Sequence, residues 1–359
     1  MKQDKIIIVK FQALGDMIMS TVGIRMIRQA FPSAEITVLT MDSSAEMIRN
    51  NPDIDHIISA PVEVFYGYWR LLRIPAAIMR WRRKQYDLAI SFHVGNQVNL
   101  LVKALQANRF IIPGKGNLKS ITDTKKQSFA PKLNHYTQAY PKIAKEAIHA
   151  MGGNSNHQIP SAVICLSKEE KNQVNDILSS NGLQRKKFIA IFPGGGANPG
   201  ECVIVRRYPK LAESISSFVT SYPKISFLLL GAKTDQQPCD QIKSAIPSST
   251  PVVDMHGKTN LRLYLGLIEA ASLLVTSDSS ALHIATALNT PTVAIFGPTD
   301  PTEKVDSRAN ITILAPKNIA PSYTGKFDGN IDEALHSFDE ITPEMVADAI
   351  STQWEQVNE

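Results

Sequence analysis

The chain has 359 residues, 43% hydrophobic and 20% charged, a globular balance and a length for about two domains. Its net charge of +5 is uneven: of 33 acids, nine lie after residue 326, where Lys and Arg are absent, so all 38 basic residues stand against only the other 24 acids. No apolar run reaches the ~20 residues of a bilayer span, residues 6–9 are too few for a signal peptide, and Cys165, Cys202 and Cys239 match neither a disulfide framework nor a metal site, so a reduced cytoplasmic protein is expected.

Residues 5–9 are a short run rich in β-branched side chains, suited to a buried parallel strand. Lys10-Phe11-Gln12-Ala13-Leu14-Gly15-Asp16 follows, and then Ile18, Met19, Val22, Ile24, Met26 and Ile27 recur at roughly helical spacing. Phe31-Pro32 ends that helix, and residues 35–39, 87–91 and 109–112 read as further strands. Short buried strands alternating with helices predict an open α/β sheet. The pattern restarts at a strand over 188–192, which meets Pro193-Gly194-Gly195-Gly196. A helix over 209–219 and strands over 225–230, 272–276, 292–296 and 311–314 complete a second set. Between the sets, 167–187 reads as a polar helix and an Asn181-Gly182 turn, expected to act as a linker. The fold class is therefore α/β, with Rossmann-like domains over 1–170 and 186–335. A last helix over 342–357 has Thr342 as N-cap and Pro343 in its first turn. Its apolar face, Val346, Ile350, Trp354 and Val357, is expected to cover the interdomain surface.

In an open parallel sheet, ligands bind beyond the carboxyl ends of the strands. Asp16 stands there after the first strand, suited either to cap a helix or to take a proton from a bound hydroxyl. Gly194, Gly195 and Gly196 let a backbone approach a phosphate, or simply make a turn. The spacing fits neither the dinucleotide fingerprint nor a P-loop, which disfavours nicotinamide and P-loop chemistry. Arg206 and Arg207 suit bidentate contact with a diphosphate. Asp278, Ser279 and Ser280 open a helix whose free N–H groups favour an anion, with His283 about one turn further on; a plain capping box would read alike.

These motifs, followed by Phe296-Gly297-Pro298-Thr299-Asp300-Pro301, resemble glycosyltransferase family 9, the family of the lipopolysaccharide heptosyltransferases, over nearly the whole chain. The resemblance implies a GT-B fold: two Rossmann-like domains facing a central cleft, with the last helix crossing back to the first domain. It also implies inverting, metal-independent transfer of a heptose or related sugar from a nucleotide-diphospho-sugar, with ADP-heptose one candidate, to a lipopolysaccharide-core or other surface-glycan acceptor, without a cofactor. By the same resemblance Asp16 is the general base, Arg206 contacts the donor phosphates, and Asp278 to His283 lie in the donor site. Arg206 stands where heptosyltransferases usually have Lys, and Ser279-Ser280 where they have Thr-Gly, so the sugar stays open. The alternative is a non-catalytic nucleotide-sugar binding protein of the same fold, in which Asp16 would have no task.

The basic surplus favours anionic partners, or serves only solubility. Residues 69–84 carry Arg70, Arg73, Arg80, Arg82, Arg83 and Lys84 without an acid, interleaved with Trp69, Trp81 and aliphatic residues. This reads as an interfacial stretch, interrupted by Pro75, or as a solvated face. Lys115 and Lys119 lie in a second basic segment. Contact with an acceptor or peripherally with the inner membrane is expected, and nucleic-acid binding is not, since no recognition motif is present.

Overall fold

The computed structural model describes residues 3–61, 70–93, 96–112, 136–156, 158–194, 203–305, 309–322 and 331–358. The chain divides into two units, Met1–Cys165 and Leu166–Glu359. In the first, the order is β1 (Lys5–Val9), α1 (Leu14–Ala30), β2 (Glu35–Met41), α2 (Asp42–Ile48), β3 (His56–Ala60), α3 (Arg70–Arg82), β4 (Leu88–Ser91), α4 (Asn96–Ala104), β5 (Arg109–Ile111) and α5 (Tyr136–Ala150). Its parallel sheet runs β3-β2-β1-β4-β5, so the direction of winding reverses between β1 and β4. β1 is the middle strand, and Ile6, Ile7, Ile8 and Val9 are wholly buried, which explains its unbroken aliphatic run.

The second unit contains α6 (Lys168–Ser180), β6 (Phe188–Phe192), a 3-10 turn Val203–Arg206, α7 (Leu211–Ser221), β7 (Ser226–Leu229), α8 (Gln236–Ala245), β8 (Val252–Asp254), α9 (Leu261–Ala270), β9 (Leu273–Ser277), α10 (Ser280–Leu288), β10 (Thr292–Ile295), α11 (Pro301–Lys304), β11 (Ile311–Leu314), α12 (Ile331–His336) and α13 (Pro343–Gln356). The sheet order β11-β10-β9-β6-β7-β8 reverses between β6 and β9, again all parallel. Each unit is thus a doubly wound, Rossmann-like layer.

Four expectations change. The polar segment expected to link the domains is α6, and it packs within the second unit: a Cβ on Gly266 of α9 would stand 2.5 Å from Val174 Cγ2 of α6. The apolar face of α13 joins its own unit's core, where Val346 and Ile350 are wholly buried with Phe218, Val275 and Val293, and Trp354 packs against them. The second sheet still had a face to cover there, and each such buried side chain contributes about 1.5–3 kcal/mol. Thr342 caps this helix as expected, accepting from the Met345 N–H at 3.3 Å. Pro75 does not interrupt α3 but lies inside it. It removes one backbone bond close to the helix start, which the packed Ala77, Ile78 and Trp81 outweigh. Finally, Trp81 faces inward at 7% exposed, in the core beneath α3 and α4 rather than at the surface. Trp69 lies outside the described residues.

Candidate active site

At the winding reversal of the first sheet, Val9 of β1 is in register with Ser91 of β4, so the chain leaves both strands side by side as Lys10 and as Phe92-His93. The Lys10 N–H bonds the Leu39 carbonyl at 3.0 Å and the Phe92 N–H bonds that of Val9 at 2.9 Å, fixing both exits to the sheet. α1 starts at Leu14 with Ala13 as N-cap, so Asp16 lies in the first turn and is not the cap. Lys10 Nζ stands 3.1 Å from Asp16 Oδ2; Lys10 is 3% exposed, whereas the Asp16 side chain keeps 27%. Burial holds the Lys10 ammonium below the usual lysine value, with Asp16 opposing that shift. The same ammonium donates to the Gln12 carbonyl and lies 5.8 Å from the centroid of the Tyr140 ring. His93 meets Phe11 edge-on with centroids 6.1 Å apart. Its own burial, then the Lys10 charge, push its imidazole down to about 4, and its buried Nδ1 has no hydrogen-bond partner. The result is a carboxylate anchored at one oxygen and reachable from solvent, beside an uncharged imidazole, which suits proton abstraction from a hydroxyl.

The second sheet repeats the arrangement at its own reversal. Phe192 of β6 is in register with Thr276 of β9, and Gly194 and Asp278 follow the two strand ends. Asp235, after β7, passes beneath Gly194: a Cβ there would meet Asp235 Oδ1 at 2.6 Å, so no side chain fits. Asp235 Oδ1 accepts from Arg207 Nη2 at 3.0 Å and Oδ2 from the Ala232 N–H at 2.8 Å. The Tyr208 N–H donates to Ser277 Oγ at 3.2 Å and the Tyr208 hydroxyl to the Ile341 carbonyl at 2.9 Å, which pin the Arg206-Arg207 turn against the end of β9. Ser279 precedes α10 without capping it through its side chain, because its hydroxyl pairs with Thr276 Oγ1 at 2.9 Å. The helix's first N–H groups are thus left without that cap, as an anion would require. Asp278 and Ser279 are buried, and Ser280 and His283 are half-buried in α10. Tyr264 packs on Phe192 at 6.0 Å, its buried hydroxyl has no hydrogen-bond partner, and burial then the Asp235 charge raise its pKa.

Of the residues singled out from sequence, Gly194, Arg206, Arg207, Asp278, Ser279, Ser280 and His283 come together at this edge, while Gly195, Gly196, Lys115 and Lys119 lie outside the described residues. Arg207 differs from the expectation in one respect: its guanidinium is already engaged by Asp235. Arg80 and Arg83 are exposed and Arg82 is half-buried at the end of α3. Lys10, His93 and Asp235 carry no motif of their own in the sequence; Lys10 and His93 fall within two residues of a strand end, and Asp235 closes the 3-10 turn Lys233–Asp235 beyond β7. Among the described residues, Cys239, Asp254 and His256 group as possible metal ligands. Two of the three are already engaged, Asp254 by Lys243 at 2.6 Å and by His256, whose Nε2 meets Gln236 Oε1 at 2.9 Å, while Cys239 is a buried free thiol.

The model of glycosyltransferase family 9 (heptosyltransferase) matches residues 76–323, well over half of the chain. The chain belongs to glycosyltransferase family 9. This family 9 enzyme is 25% identical over 362 residues to lipooligosaccharide heptosyltransferase 2 of Haemophilus ducreyi, covering 97% of its own length and 98% of the relative's. It superposes on the family 9 glycosyl transferase of Veillonella parvula with a TM-score of 0.78 at 20% identity, over 99% of each chain. With the ADP-heptose lipopolysaccharide heptosyltransferase II of Escherichia coli the TM-score is 0.73 at 18% identity, over 99% of this chain and 100% of that one. The family 9 glycosyltransferase thus has the GT-B type of fold, built from two Rossmann-like domains.

Proposed function

We propose that this glycosyltransferase moves a heptose from ADP-heptose to a lipopolysaccharide-core acceptor with inversion at the anomeric carbon and without a metal. The choice of donor is supported by similarity to the ADP-heptose lipopolysaccharide heptosyltransferase II of Escherichia coli. The observation that carries the mechanism is the Asp16 carboxylate, held at one oxygen by Lys10 beyond the end of β1. In this reading Asp16 takes the proton of the acceptor hydroxyl while the hydroxyl oxygen bonds to the anomeric carbon. The bond from that carbon to the diphosphate breaks on the opposite face, and its electron pair leaves with ADP. Arg206 and the N-terminus of α10 oppose the charge that grows on the diphosphate, as a preorganised site must. Gly194 gives the diphosphate close access to the backbone.

A positioned base is worth ~10²–10⁴ in rate. Purified enzyme given ADP-heptose should release ADP only when acceptor is present, and Asp16→Asn should lose about that factor while calorimetry finds its ADP affinity within about twofold of wild type. An Asp16→Asn enzyme turning over at the wild-type rate refutes the base. Binding of ADP-heptose with no ADP released on any core acceptor refutes the reaction. Among the described residues no helix is long and apolar enough to cross a membrane. In this reading a lipid-anchored acceptor is approached from the cytoplasmic side, with α3 as the contact.

A further inference from the structure

We propose that Lys10 is the positioning residue of this transfer: its buried ammonium grips one oxygen of Asp16 so that the other is presented to the acceptor hydroxyl. The inference rests on the reading of Asp16 as the base. Lys10 emerges from the middle strand of the sheet, and its N–H is locked to the Leu39 carbonyl at 3.0 Å. Its side chain is therefore aimed from a rigid element, across the turn that leads into α1. Its ammonium has three donors; one goes to Asp16 Oδ2 at 3.1 Å, another to the Gln12 carbonyl at the turn, and the Tyr140 ring of α5 lies 5.8 Å away. The groups around it are Asp16 from α1, His93 from the exit of β4, and Tyr140, and Asp16 is the charged partner it bonds.

As a stabilising device this arrangement is poor. Removing an ammonium from water costs several kcal/mol, and a partner still 27% exposed returns little of it. What the pair does provide is a carboxylate with one oxygen held by an ammonium that is itself anchored at the strand end. Reacting groups must sit within a fraction of an ångström of the productive geometry, and a misplacement of 1 Å can cost about 10²-fold.

The test compares Lys10→Met, Asp16→Asn and the double variant with wild type, each checked for folding by thermal unfolding and for ADP affinity. Lys10→Met should lower kcat by about 10²-fold with the KM for ADP-heptose within about twofold. Added to Asp16→Asn it should cost nothing more, because residues acting as a unit are not additive. Burial lowers the Lys10 pKa, so wild-type kcat should fall with rising pH before the ordinary lysine value of 10.5 is reached, and Lys10→Met should lack that fall. Unchanged kcat in Lys10→Met, or a further loss in the double variant, overturns the inference. If Lys10→Met does not fold, the wild-type profile decides, and a rate flat up to pH 10.5 in intact protein overturns it. An inactive Asp16→Asn beside a normal Lys10→Met defeats this inference alone, whereas an active Asp16→Asn defeats the base and the inference together.

Discussion

Glu170 and Arg262 form a bidentate ion pair inside the second unit, with Nε to Oε1 and Nη2 to Oε2 both at 2.8 Å. Both residues are buried, and Glu170 also closes a capping box with Ser167 at the start of α6. One carboxylate therefore starts the helix and docks it on α9. Breaking a buried pair strands a charge, so Arg262→Met should lower stability by about 3–5 kcal/mol in urea unfolding, and removing both partners with Glu170→Leu should restore part of the loss. An Arg262→Met midpoint within error of wild type would mean that α6 is held by its apolar contacts alone.

His93 should make the first unit acid-sensitive. Its folded pKa of about 4 lies below the ordinary 6.5, so the fold keeps the ring neutral. The unfolded chain takes up a proton below pH 6.5 that the folded one refuses until about pH 4. Stability is therefore lost as pH falls between those values, by about 3 kcal/mol at most. His93→Gln should show a shallower decline in urea midpoint from pH 7 to 4.5, and parallel curves for the two proteins would refute the assignment.

The two neighbouring arginines should separate in their effects. Arg206→Ala should weaken ADP binding by about 1.5–3 kcal/mol in calorimetry, the worth of a charge-assisted contact, with little change in melting temperature. Arg207→Ala should instead lower the melting temperature, because Asp235, with a side chain 6% exposed, loses its ion-pair partner beneath Gly194. The opposite pattern would assign the phosphate contact to Arg207.

Attachment to anionic lipid should depend on the end of α3. Arg80 and Arg83 are exposed there beside Met79, 49% exposed, while Trp81 and Ile78 anchor the helix to the core. Each engaged cation near such a surface contributes about 1 kcal/mol, so binding should be weak and reversed by moderate salt. The enzyme should sediment with phosphatidylglycerol vesicles at low ionic strength, and the triple change Arg80→Gln, Arg82→Gln, Arg83→Gln should leave it in the supernatant. Equal sedimentation of the two proteins would make α3 a solvated face.

The buried strands were legible from the chain alone. β1, β6, β9 and β10 are interior to their sheets, and a strand covered on both faces must be written as an unbroken apolar run. β3 and β8, by contrast, both stand at sheet edges, and their part-exposed residues carry no such run, so local sequence does not mark them as strands. The same limit applies to the site. Asp16, Gly194, Arg206 and Asp278 belong to local motifs, and the strand-turn-helix grammar around them locates them without tertiary information. Lys10 and His93 are 83 residues apart in the chain and meet only because β4 returns to lie against β1. Asp235 likewise reaches Gly194 only because β7 pairs with β6. Local sequence determined which residues end a strand, because burial and helix starts act over a few positions. Strand order decided which of those ends share an edge, and with it the ammonium behind Asp16, because pairing between distant strands is set by packing of the whole sheet.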